Sequence, residues 1–139
     1  MKRSVLVVCI ETATITEKPQ MRDARWHHSV AIVANFAYII AGTDPSTNQP
    51  VTSVERYDII GEKWALVPSE FDQFSCFALS ITCDNRYILS FGGSNRGKFF
   101  PKSTLIRRFD HLIPTGGWEV INLENGKPCR AYYGLLRLE

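Results

Sequence analysis

No run of 18 apolar residues occurs anywhere in the 139 residues, which excludes a membrane-spanning helix. No segment of any length carries apolar residues at helical spacing, so long helices are not expected. Net charge is only +2, too small for field strength alone to argue for a nucleic-acid partner. No Gly-x-Ser-x-Gly is present, and Gly92-Gly93-Ser94-Asn95-Arg96-Gly97 lacks the Gly-Lys-Ser/Thr ending of a phosphate loop. The start, Met1 to Ile10, imitates a signal peptide. Its apolar run, Val5 to Ile10, is short for one and is ended by Glu11, so it is read as a strand.

The four cysteines, Cys9, Cys76, Cys83 and Cys129, form no Cys-x-x-Cys pair. They lie in or beside apolar runs and are read as buried, reduced thiols, which points to a reducing, cytoplasmic compartment. Their even number keeps a secreted alternative open. His27 and His28 are adjacent, so in an extended chain their side chains point apart. His111, the third histidine, lies far along the chain, and no Cys, Asp or Glu cluster sits at ligand spacing. No metal or other cofactor is expected.

What the chain does contain is many short apolar runs rich in Val, Ile, Tyr and Phe, punctuated by Gly, Pro, Asn and Asp. They recur. Ser4-Val5 falls on Ser53-Val54 at a spacing of 49 residues, which also carries Ile15 onto Trp64, Pro19 onto Pro68 and Ser29 onto Ala78. Gly42 falls on Gly93, Tyr57-Asp58 on Phe109-Asp110, and Trp64 on Trp118, at spacings that widen from 51 to 54. Widening belongs in loops, which tolerate insertion. Arg130-Ala-Tyr-Tyr-Gly134 echoes Arg25-Trp-His-His-Ser29.

A unit of about fifty residues repeated in this way predicts an all-β propeller segment: two complete four-stranded antiparallel blades with partial blades at both ends. The divisions are 1–19, 20–68, 69–128 and 129–139. Strands are expected at 4–10 and 12–16, then 28–34, 36–42, 52–58 and 63–67, then 76–82, 86–92, 103–110 and 118–122. Closed propellers need about four to eight blades. The rest of the ring is therefore expected from a longer chain or from an oligomer, or a partner covers the edges.

The pattern resembles the kelch repeat. Gly92-Gly93 matches its glycine pair at the end of the second strand, and Ala41-Gly42 is a degenerate form. Tyr57 followed by Trp64, and Phe109 followed by Trp118, match its aromatic and tryptophan; Arg25 and Arg130 match its arginine ahead of the first strand. Phe74 stands where that arginine is expected in the second copy, and Ile15 where a Trp is expected in the first partial one.

Each residue type has a physical reason to be there. Gly42, Gly92 and Gly93 end strands where backbones crowd and positive φ is needed. Trp64 and Trp118 are large enough to fill the space between neighbouring sheets, each hiding about 150–250 Å2. Cys83-Asp84-Asn85-Arg86 is turn chemistry and is read as a hairpin tip. Arg107 and Arg108 alternate in a strand, so one faces solvent.

The resemblance implies a non-catalytic protein-interaction module, a scaffold or substrate adaptor, that binds another protein or peptide through loops on one face. Carried onto this chain, the partner-binding candidates are Arg25, Trp26, His27, Asp44, Arg96, Lys98 and Arg130. Two other readings stay open. One is a fragment of a propeller enzyme of the galactose-oxidase or hydrolase kind. The other is a nucleic-acid binder through Ser94 to Lys102, where Arg96, Lys98 and Lys102 flank Phe99 and Phe100.

Overall fold

The structure, a computed structural model, describes residues 3–73, 76, 78–95 and 103–122. Among these described residues the fold is all-β apart from one 3-10 turn, Pro114–Gly116. Three antiparallel sheets follow one another along the chain. The first is a two-stranded hairpin, β1 (Val5–Cys9) with β2 (Thr14–Lys18). The second runs in spatial order β3 (Ser29–Val33), β4 (Phe36–Ile40), β5 (Val54–Asp58), β6 (Lys63–Leu66). The third repeats that order with β7 (Leu79–Cys83), β8 (Tyr87–Phe91), β9 (Ile106–Asp110) and β10 (Trp118–Ile121).

Turn chemistry makes these meanders. Asp84 and Asn85 both sit at positive φ, 51° and 49°, and the Arg86 N–H donates back to the Cys83 carbonyl at 3.1 Å. Two consecutive left-handed residues match the right-handed twist of the flanking strands. The repeat is visible in register as well as order. Val8 faces Ile15 in the hairpin, as Tyr57 faces Trp64 in the second sheet, 49 residues on.

One expectation shifts by a residue. Ser29, the first residue of β3, corresponds to Leu79, the first of β7, rather than to Ala78. The isolated bridge Trp26 to Thr43 has its counterpart in Cys76 to Ser94. The extra residue enters between Asp72 and Cys76, and a one-residue slip exchanges the two faces of a strand. Phe74 and Ser75, which fall in this interval, lie outside the described residues.

The second and third sheets pack face to face. Ala31, Val33, Tyr38, Ile40, Val54 and Val67 from one side meet Ile88 and Phe109 from the other, with Phe71 and Ala78 sealing the edge. Polar contacts ring this apolar centre. The Thr82 hydroxyl donates to the Ile32 carbonyl at 2.6 Å, and the Ala34 N–H to Asn85 Oδ1 at 2.7 Å. The Tyr38 hydroxyl lies 2.6 Å from His111 Nδ1, and Thr43 Oγ1 lies 2.8 Å from Cys76 Sγ.

The two tryptophans at the outer strands differ. Trp118 sits edge-on to Phe71 at 4.9 Å and against the fully buried Phe109 at 5.2 Å, inside the contact between sheets. Trp64 leans on Tyr57 at 4.9 Å and donates its indole N–H to the Pro19 carbonyl at 2.6 Å. It therefore fastens the second sheet to the hairpin, helped by the Lys18–Glu62 ion pair. The hairpin itself is thinly covered: Leu6, Val7, Val8 and Ile15 are all exposed.

The cysteine reading needs correction. Cys76 is buried, but Cys9 and Cys83 are only half-buried; all three are free thiols, and Cys129 lies outside the described residues. Cys9 and Cys83 occupy strand ends at hairpin turns, where only one side of the strand is covered.

Trp118→Ala removes a large side chain from a packed contact and is expected to cost about 3 kcal/mol, lowering the thermal midpoint by roughly 10 °C. Trp64→Ala, at the thinner contact with the hairpin, lowers it by clearly less. Thermal unfolding followed by circular dichroism checks both; equal effects would contradict the packing described.

Candidate functional site

The end of the second sheet that carries Trp26, Thr43 and the 44–51 loop brings most of the described candidate residues together. Backbone hydrogen bonds exchanged by Trp26 and Thr43, at 3.0 and 2.8 Å, fix the segment entering β3 against the segment leaving β4. Gly42 makes that approach possible. Its φ is +113°, and a Cβ there would lie 2.7 Å from the Trp26 carbonyl oxygen. Gly92 and Gly93 take positive φ, 66° and 101°, at the matching place in the third sheet.

Arg25 does not belong to the surface, which corrects its reading as a partner-binding residue. Its side chain is fully covered. One Nη donates to the carbonyls of Ala41 and Ser53 at 3.0 and 2.7 Å; the other donates to Ser53 Oγ at 2.9 Å and to the Glu55 carboxylate at 2.7 Å. Glu55 also accepts from the backbone N–H groups of Arg22 and Asp23 at 2.8 and 3.2 Å. A buried charge persists only when paired and hydrogen-bonded, and this one has both.

The third sheet solves the same problem from a different direction. Arg107, on β9 where β5 has Glu55, donates to the carbonyls of Gly92 and Leu105 at 2.9 and 3.4 Å. These are the counterparts of Ala41 and Ser53. Its other bonds go to Ser103 Oγ and to Asp72, the counterpart of Asp23, and its guanidinium lies over the Phe71 ring at 4.9 Å. A guanidinium thus fills the same carbonyl cage in both sheets, delivered by the link in one and by the third strand in the other. Arg107 is accordingly buried, while Arg108 is half-exposed and paired with Glu119 at 2.7 Å.

Trp26 is 46% exposed and stacks on His27, ring centres 5.2 Å apart. His27 is held at φ +52°. Ala13, Ala34, Glu62, Asp84 and Asn85, which share that sign, lie in hairpin turns. His27 does not, and left-handed backbone at a non-glycine costs of order 1 kcal/mol. Asp44 is committed to its own loop. Its Oδ1 accepts from the Ser46 N–H and hydroxyl at 2.7 and 2.6 Å and from the Thr47 N–H at 3.4 Å. These bonds, the Ser46 hydroxyl foremost, hold its carboxyl below the usual range. Arg96, Lys98 and Arg130 lie outside the described residues, as do the remaining residues of the basic, aromatic stretch 96–102.

Of the residues assigned a structural part, Tyr57 and Phe109 are buried, and Trp64 and Trp118 are half-buried. Sequence reasoning missed Glu55, Asp72 and the central part of Arg107. The signal was present as charged residues at inward-facing strand positions, but only the carbonyl geometry explains them.

Sequential four-stranded meanders joined at the same end define a β-repeat protein. The family model of the kelch motif matches residues 24–69, which span β3 to β6 and the link ahead of them. That stretch is similar to the kelch motif, as the resemblance implied. No curated protein matches the chain.

Two histidines make stability pH-dependent. Burial, then the nearby Arg25 charge, pushes His28 below the usual imidazole value; burial, then Arg56, does the same to His111. In its neutral tautomer with a bare Nδ1, His111 accepts a hydrogen bond from the Tyr38 hydroxyl, and burial raises the Tyr38 pKa. Both imidazoles bind protons more readily unfolded than folded. Their contribution is therefore full above about pH 6.5 and is lost as the pH falls below it. The thermal midpoint is expected to drop between about pH 7.5 and 5.5, and replacing both with Gln to flatten that drop. An unchanged slope in the double variant would contradict the assignment.

Proposed function

We propose that the three sheets are consecutive blades of a kelch-like propeller and that the chain acts as a non-catalytic protein-interaction module. The blade reading is supported by the repeated strand order and the matching register. The stacking of β7 and β8 against β3 points the same way. It also accounts for the exposed Val30 and Ile32 on β3. Their counterparts on β7, Ser80 and Thr82, lie against β3, with Ser80 buried and the Thr82 hydroxyl bonded to Ile32. The inner half of a blade ahead of β1 would cover Val30 and Ile32 in the same manner. The remaining blades come from a longer chain or from an oligomer.

The observation that carries the binding reading is Trp26: a large exposed aromatic next to His27, whose backbone is left-handed, and beside a stiff loop built on Asp44, Pro45 and Pro50. Exposed tryptophans in fixed frames are the side chains that most often dominate protein interfaces. Its counterpart, Cys76, is buried in the contact between sheets, so packing does not demand a tryptophan at this position of the repeat. The partner is a protein or peptide that lays an apolar group on the Trp26–His27 stack.

Peptides selected from a displayed random library on the wild-type protein provide the test. Trp26→Ala is expected to leave the thermal midpoint within about 2 °C and to weaken the selected peptides by at least roughly tenfold. A selection that yields no binders, or binders that ignore the substitution, would contradict the reading.

A further inference from the structure

On the other side of the 44–51 loop lies a cleft of about 420 Å3. Its apolar walls are Ala24, Pro45 and Val51, and its charged groups are Arg3, Arg22, Asp23 and Asp44. The charges balance in number but not in what they have left to offer. Asp44 Oδ1 already accepts three hydrogen bonds from its own loop. Asp23 is engaged by the buried Arg25 at 3.6 Å and by the Ser53 hydroxyl at 3.4 Å. The guanidinium of Arg22, in contrast, is 70% exposed, and its contact with Asp23 is long, 4.0 Å. Arg3 spends one Nη on the Arg22 carbonyl at 2.6 Å, which fixes the two arginines beside each other, with most of their N–H groups unspent among the described residues.

We infer that this cleft is an acidic-peptide subsite: Arg22 and Arg3 clamp an Asp or Glu carboxylate while Ala24, Pro45 and Val51 hold the small apolar residue beside it. An arginine fork matches a carboxylate in two parallel hydrogen bonds. The cleft is within the size range of sites that take a few side chains. Both rim carboxylates have bonds of their own, Asp44 through Oδ1 and Asp23 through Oδ2, and Asp23 Oδ1 reaches the Arg22 guanidinium only at 4.0 Å, a contact that a carboxylate in the cleft would have to displace. The inference extends the interaction reading from the Trp26 shelf to the neighbouring cleft, and rests on it.

The probe is an array of peptides about twelve residues long in matched pairs, each acidic sequence beside its Asn/Gln counterpart. The acidic members are expected to bind the wild-type protein at least about tenfold better than their amide partners, and less well as salt rises. Arg22→Glu and Arg3→Glu are each expected to erase that preference, and Arg22→Lys to keep part of it, since a lysine retains charge without the fork. Arg22 is largely exposed, so its variants fold, and the thermal midpoint confirms it. Binding that does not distinguish acid from amide, or that survives both charge reversals, overturns the inference. Displacement of acidic peptides by inorganic phosphate beyond that by chloride at equal ionic strength overturns it in favour of a phosphate group. The Trp26→Ala variant separates the two readings. Acid preference absent while displayed peptides still depend on Trp26 sinks the cleft alone; loss of both dependences sinks the interaction reading with it.

Discussion

A guanidinium enclosed by backbone carbonyls holds each four-stranded sheet together at the end where its loops emerge. In the second sheet Arg25 joins the carbonyl that closes β4 to the one that opens β5. In the third, Arg107 joins the equivalent pair. The Ser53 and Leu105 carbonyls already accept the N–H groups of Ala41 and Gly92; the guanidinium adds a second donor there and also reaches the Ala41 and Gly92 carbonyls, and a carbonyl left without a donor under cover is costly. One planar cation with five donors answers several of them at once. The segment entering β3 and the loop leaving β4 are thereby fixed relative to each other, and with them the Trp26 shelf and the Arg22 cleft.

The two solutions differ in which backbone position supplies the charge, and each brings its own counter-charge. Where the link supplies Arg25, the third strand supplies Glu55; where the third strand supplies Arg107, the link supplies Asp72. The exchange keeps the cage filled and neutral. It also frees the link residues of the third sheet from carrying the arginine. What recurs is the position of a guanidinium in space, and residue identity at any one column of the repeat follows only loosely.

That distinction explains what was legible beforehand. Strand order, hairpin tips such as Asp84-Asn85, and the close approach at Gly42 rest on local chemistry, and the sequence showed them. The burial of Arg25 was not legible, because it depends on carbonyls contributed by two separate segments. The one-residue shift between Asp72 and Cys76 was hidden as well; the start of β7 at Leu79 and the bridge of Cys76 with Ser94 reveal it. Trp26, Trp64 and Trp118 look alike as letters, yet one stands exposed, one fastens the hairpin and one fills the contact between sheets. The cleft was invisible for the same reason: Arg3 and Arg22 meet only because the hairpin lies against the second sheet.

The stability of arginine variants tests the carbonyl cage most directly. Arg25→Met removes the donor to the Ala41 carbonyl and to the buried Glu55 carboxylate, and Arg107→Met the donor to the Gly92 carbonyl and its bond to Asp72; each is expected to lower the unfolding free energy by about 3 kcal/mol in urea titrations. Arg108→Met, which breaks only the exposed pair with Glu119, is expected to cost less than about 1 kcal/mol. If Arg25→Met or Arg107→Met proves as mild as Arg108→Met, the cage is not what holds these sheets.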